Sequence, residues 1–138
     1  MYLLSLNSQD ISCEVKRRLS FVGSTREHSG VTFHFRLLVL ENAVFALFYE
    51  GEMKLGTVAF SMPVTGEERV GKSSVLLGGK YLVAARALSE RLAVRYGKMS
   101  LVSFHSSFPE TEAFRIYVKI LEDHMKRDHA VPTGDGSR

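Results

Sequence analysis

The fold turns on residues 31 to 62, which read VTFHFRLLVL (31–40), EN (41–42), AVFALFYE (43–50) and GEMKLGTVAFSM (51–62). Apolar and β-branched residues recur with period two, the spacing of a pleated strand. Glu41-Asn42 suits a two-residue hairpin turn, because asparagine tolerates positive φ. Gly51-Glu52 suits a second such turn, with glycine at its first position. The stretch is therefore expected to form three strands joined by two tight turns.

The turns set a register. With Glu41-Asn42 at the first, Leu40 meets Ala43, Leu38 meets Phe45, Arg36 meets Leu47 and His34 meets Tyr49. Directly paired residues share a face of the sheet. The second turn would place Val58 and Phe60 on that same face. One face then carries His34, Arg36, Leu38, Leu40, Phe45, Leu47, Tyr49, Val58 and Phe60. The opposite face carries Phe33, Phe35, Leu37, Val39, Val44, Ala46, Phe48, Met53, Leu55 and Ala59, and is expected to be the internal core. A turn misplaced by one residue would exchange the faces of a whole strand.

Outward from this stretch, residues 1–23 read as one or two strands, with Ile11 to Val22 the firmer, and Gly23 to Gly30 as a polar loop. Residues 63–73 form a second polar loop, followed by a short strand from Ser74 to Leu77. After Gly78-Gly79 the period changes to 3.6. Tyr81, Ala84, Ala85, Leu88 and Leu92 make the apolar stripe of a helix that Gly97 ends. Met99 to His105 is a further strand. Ser107 and Glu110 have capping-box spacing, and Pro109 fits a first helical turn. The second helix is expected over 109–126, with its stripe at Phe114, Tyr117, Val118, Leu121 and Met125.

The expected domain spans 1–126, with residues 127–138 a disordered polar tail. The fold class is α+β: an antiparallel meander of about six strands, two helices on one face, order βββββαβα.

Composition narrows the function classes. A chain of 138 residues, 45% apolar, supports one domain with a real core. No apolar run reaches the ~18 residues of a membrane span. The start, MYLLSLN, has neither a basic leader nor a small-residue cleavage site. The single cysteine, Cys13, excludes an internal disulfide framework and fits a reducing compartment. It reads as a strand residue. The net charge of +3 is a weak signal. Lys16-Arg17-Arg18 reads as the solvated side of an edge strand, and no aromatic residues interleave with it as nucleic-acid binding would need.

The segment GEERVGKS (66–73) matches the phosphate-loop pattern G-x-x-x-x-G-K-[ST]. Such a loop needs a parallel strand before it and a helix beginning at the lysine. Here antiparallel hairpins precede it, SSVLLGG follows, and two glutamates inside the loop would repel phosphate. The match reads as coincidence. His28, His34, His105, His124 and His129 show no metal-ligand spacing. Glu67-Glu68 and Glu122-Asp123 read as solvated charge, and Ser103, Ser106 and Ser107 lack a nucleophile elbow. No catalytic, cofactor-binding or metal-ligating residue is expected.

A sheet that is apolar on both faces must be covered twice, and the helices suffice for one face. The nine-residue face from His34 to Phe60 therefore matches the anatomy of a protein interface, apolar with tyrosine and arginine. The competing reading is that the N-terminal segment or a loop covers it.

In order along the chain, VTFHFRL (31–37), the strands at 43–50 and 55–62, SSVLLG (73–78), the Ala/Arg/Leu-rich helix at 84–95, the strand at 101–104 and a closing helix with Phe114 and Glu122 resemble the proteasome assembly chaperone 4 family. The resemblance covers residues 10 to 126; the 23–30 loop and the tail depart from it. It implies a non-enzymatic chaperone, cytoplasmic and nuclear, that forms a heterodimer with a chaperone 3 type partner or a homodimer when isolated. The pair would bind α-type subunits of the 20S proteasome during α-ring assembly, without nucleic acid, membrane or cofactor. The alternative is another small interaction platform, and the least favoured is a P-loop nucleotide-binding protein.

Overall fold

The computed structural model describes residues 21–63 and 72–130, with side chains through Arg127. Among these residues six strands and two helices follow one another as β1 (Phe21–His28), β2 (Val31–Val39), β3 (Ala43–Glu50), β4 (Thr57–Met62), β5 (Lys72–Leu77), α1 (Leu82–Tyr96), β6 (Met99–Phe104) and α2 (Glu110–Ala130). This is the expected α+β order. α2 continues to Ala130, past its expected end at Lys126 and into the expected tail. Expectations for a strand before Phe21, for Cys13, for Lys16 to Arg18, for Gly66 to Gly71 and for the tail beyond 130 lie outside the described residues.

The strands form one sheet in the order β1-β2-β3-β6-β4-β5. The β2–β3 hairpin has the expected register: Leu38 faces Phe45, Arg36 faces Leu47 and His34 faces Tyr49. The Leu40 amide donates to the Ala43 carbonyl at 2.7 Å and closes the turn. The expected loop at 23–30 is instead mostly strand. β1 pairs with β2 along its whole length, and Ser29 (φ 52°) and Gly30 (φ 77°) form the tight turn between them. A polar sequence makes a strand here because an edge strand needs only backbone hydrogen bonds and one covered side.

The second expected hairpin does not form. β4 does not pair with β3; β6 lies between them, parallel to β3 and antiparallel to β4. The chain from Gly51 to Gly56 carries β4 past that extra strand. The Gly56 amide donates to Ser103 Oγ at 2.8 Å, and a Cβ at Gly56 would meet the Phe104 carbonyl oxygen at 2.2 Å, so only glycine passes there. As a result Met53 and Leu55 are 55% and 58% exposed rather than in the core. Val39, at the end of β2, is also exposed (45%).

Both helices cover one face. α1 packs on β4, β5 and β6, and α2 on β1 and β2. The core holds Phe33, Phe35, Leu37, Val44, Ala46, Phe48 and Ala59, as expected, with Val102 and Phe104 from β6. Ala84, Ala85, Leu88 and Leu92 fill it from α1, and Ala113, Ile116, Tyr117, Ile120 and Leu121 from α2. Phe114, Val118 and Met125, expected in the stripe of α2, pack only at its edge. Tyr117 is surrounded by Phe33 (5.3 Å), Phe48 (5.2 Å) and Phe104 (5.0 Å), and its hydroxyl donates to the His105 carbonyl at 2.7 Å. Burial first, then the nearby Glu50 charge, pushes that hydroxyl far above its ordinary value and keeps it a donor.

The expected capping box at Ser107 and Glu110 is replaced by longer-range bonds. Ser107 Oγ donates to Glu50 Oε1 at 2.8 Å, and Glu110 accepts from the Ala84 amide at 2.8 Å. Tyr81 precedes α1 with φ 58°, and its hydroxyl donates to the carbonyls of Ser106 (2.7 Å) and Phe108 (2.8 Å). The start of α1 and the loop entering α2 are thereby tied together.

Candidate partner-binding face

The strand registers put His34, Arg36, Leu38, Phe45, Leu47, Tyr49, Val58 and Phe60 on the face turned away from the helices, with Leu40 in the turn beside them. His34, Arg36 and Leu38 project from β2, and Phe45, Leu47 and Tyr49 from β3, as the shared register requires, while Leu40 follows β2 in the turn, its amide bonded to the Ala43 carbonyl. Val58 and Phe60 reach the same face by a different route. Phe45 pairs with Leu101 of β6, which pairs in turn with Phe60; Leu47 pairs with Ser103, which pairs with Val58. The inserted strand adds one step to each row, and one step between directly paired residues does not change the face.

Leu101 and Ser103 thus stand at the centre of the face, which sequence reasoning left to β2, β3 and β4. Phe21, paired with Leu38, and Leu77, paired with Val58, extend it to the two edges. The alternation of 99–104 was a signal for the side on which Leu101 lies, but nothing local told which strands flank β6.

Exposure is uneven. Leu40 is open, while His34, Arg36, Phe45, Val58, Phe60 and Leu101 are half-buried. Leu38, Leu47 and Tyr49 are buried. Among the described residues neither helix lies over this face. Side-chain packing within the face accounts for part of the burial: the His34 ring stacks on Tyr49 with centroids 4.9 Å apart and planes 20° apart.

The polar residues of the face are held in place. His34 Nδ1 lies 3.1 Å from Thr25 Oγ1. Desolvation, followed by the charge of Arg36, lowers the pKa of His34 below its ordinary value. His105, just beyond β6, is lowered in the same direction by desolvation and by Lys54, against an opposing pull from Glu50. Arg36 Nη1 donates to the carbonyls of Phe35 (2.9 Å) and Ser24 (3.2 Å). The face is therefore apolar with a cationic side, a composition suited to holding another protein surface.

The other sequence candidates do not gather into a site. Lys72 and Ser73, the end of the phosphate-loop pattern, open strand β5 and not a helix. Ser73 Oγ bonds to Glu90 and accepts from Arg86 Nε at 3.0 Å, so it serves the β5–α1 contact. His28 pairs with Glu112 at 3.2 Å and joins β1 to α2. Ser106 and Ser107 bind the carboxylate of Glu50. Among the described residues no group of three or more His, Cys, Asp or Glu is placed to hold a metal ion. No described helix is long and apolar enough to cross a membrane.

No protein-family model matches the chain, and no curated protein matches it at a significant level. Solved structures do. One similar chain belongs to the crystal structure of a chaperone complex for yeast 20S proteasome assembly, with 12% identity and a TM-score of 0.58 over 79% of this chain and 94% of that one. At that identity the likeness is one of fold: this chain shares its architecture with a component of a proteasome assembly chaperone complex.

Proposed function

We propose that this chain is a non-enzymatic assembly chaperone of the 20S proteasome. It acts as one half of a sheet-to-sheet pair with a chaperone 3 type partner, and the pair engages α-type subunits while the α-ring forms. The observation that carries this reading is the face built from Phe45, Leu101 and Phe60 and their neighbours, apolar and opposite both helices. Its apolar residues include the open Leu40 and the half-buried Phe45, Val58, Phe60 and Leu101, and apolar area left in contact with water is stabilised by a partner surface. The shared fold with a chain of a yeast 20S proteasome assembly chaperone complex supports the same reading.

The mechanism is templating. A rigid sheet holds its partner, and the pair presents a fixed surface that orders neighbouring α-subunits and blocks wrong contacts. Such a step needs shape and binding energy, not bond chemistry, nucleotide or metal. The reading carries with it a cytoplasmic and nuclear location.

Mass spectrometry of proteins that co-purify with the tagged chain from its native cells tests this. Proteasome α-subunits together with a small second chaperone, without the mature β-ring, are expected. A stable partner without any proteasome subunit would instead favour a general interaction platform, a reading consistent with a likeness confined to fold. The nucleotide reading is checked by thermal shift with magnesium and ATP or GTP. No shift is expected; a stabilisation lost in Lys72→Ala would restore it.

A further inference from the structure

Arg36 stands in the middle of β2, between Gly23 of β1 and Leu47 of β3, on the outer face. Its side chain lies flat over β1: a Cβ at Gly23 would meet Arg36 Cδ at 2.9 Å and Nη1 at 3.0 Å. Both hydrogen bonds of the guanidinium come from Nη1 and go to neutral backbone carbonyls, at 2.9 and 3.2 Å. Among the described residues Nη2 and Nε make no hydrogen bond and Arg36 takes part in no ion pair. The contrast with Arg26 and Arg91, which pair with Asp123 and Glu122, is plain.

The charge of Arg36 is also felt beyond its own hydrogen bonds. It lowers the pKa of His34 beside it. On the paired outer-face rows of β1, β2 and β3, the acid is Glu27, which lies at the far end near the β1–β2 turn and accepts from Thr32 Oγ1 at 3.5 Å. An apolar surface laid over a half-buried guanidinium would strand a charge that keeps several unused donors. A planar carboxylate satisfies those donors in pairs, and a rim of apolar contact strengthens that bond by excluding water.

We propose that the chain docking on this face carries an aspartate or glutamate side chain over Arg36, and that this chain is not a second copy of the same protein. A two-fold self-pairing would bring the Arg36 charge of each copy toward that of the other, and among the described residues the central rows hold no acid to answer it. The carboxylate selects the partner and fixes its register, while Phe45, Leu101 and Phe60 supply the apolar contact. This inference rests on the pairing reading above.

The test uses the complex purified through the tagged full-length chain. In Arg36→Lys the new amine at position 36 is treated with a water-soluble carbodiimide, which joins an amine to a carboxylate in direct contact as an amide. Peptide mass spectrometry is expected to find position 36 joined to an Asp or Glu of a different chain. Position 36 unlinked, while other residues of the two chains cross-link, overturns the proposal; so does linkage only to a second copy. Arg36→Gln is expected to weaken pairing by about thirtyfold or more, the loss of one desolvated ion pair. Unchanged affinity in Arg36→Gln, with Phe45→Asp abolishing pairing, overturns the carboxylate alone. A wild-type chain with no companion overturns the pairing reading and this inference together.

Discussion

Glu110, the first residue of α2, accepts a hydrogen bond from the backbone amide of Ala84 in the first turn of α1, at 2.8 Å. A carboxylate at one helix start thus caps another. α1 has no acidic residue in its own first turn, and Tyr81 before it makes no side-chain cap. The carboxylate meets an unsatisfied amide of α1 and the positive ends of two helix dipoles at once. Glu110→Ala is expected to lower stability by about 1 kcal/mol, read as a shift of the urea midpoint. An unchanged midpoint would mean that the Ala84 amide finds water instead.

Glu50 is 7% exposed and gathers the loop between β6 and α2. Ser106 Oγ donates to it, the Ser107 amide donates to Oε2 at 2.9 Å, and Ser107 Oγ donates to Oε1 at 2.8 Å. Glu50→Ala leaves the buried Ser106 hydroxyl without its acceptor and releases the two Ser107 donors to water, at a cost of about 1–3 kcal/mol. Glu50→Gln turns an amide group toward donors and is expected to act in the same direction with smaller size. Urea unfolding of both variants checks the order.

Phe45→Asp is expected to abolish pairing while the chain still folds. Phe45 is half-buried on the outer face, away from the aromatic cluster around Tyr117, so a charge there desolvates only when a partner covers it. Light scattering after size exclusion, with circular dichroism as the folding control, reads both effects. Pairing like that of the wild type would remove this face from the interface.

Stability is expected to fall on mild acidification. Desolvation and Arg36 hold His34 below its ordinary 6.5, and desolvation and Lys54 hold His105 below it as well. The unfolded chain therefore takes up these protons at higher pH than the folded chain. The contribution is full above pH 6.5 and is lost as pH falls from there toward the folded values. Urea midpoints between pH 7.5 and 5.5 should decline in the wild type and flatten in a His34→Gln/His105→Gln variant. A decline of the same size in the variant would assign it to other groups.

Much of this was legible because it is local. The alternation in 31–50 and the two-residue turn at Glu41-Asn42 were enough to pair His34 with Tyr49 and Leu38 with Phe45. Hydrophobic period alone placed Leu88 and Leu92 in the core, and Gly97, at φ 65°, marked the end of α1. The outer-face set survived even a wrong strand order, since alternation fixes a side chain's face and inserting a whole strand into a row preserves it.

What the tertiary structure alone decided was adjacency. The insertion of β6 between β3 and β4, the exposure of Met53 and Leu55 that follows, and the strand formed by Gly23 to His28 depend on pairing between segments far apart in the chain. The same holds for Glu110 on Ala84 and Ser107 on Glu50, where a local capping pattern yielded to distant partners. Short-range periodicity reports the surroundings of a residue along one element. Which elements meet is settled by burying Val102 and Phe104 of β6 on the helix side while Leu101 stands on the other, and that is a property of the assembled sheet.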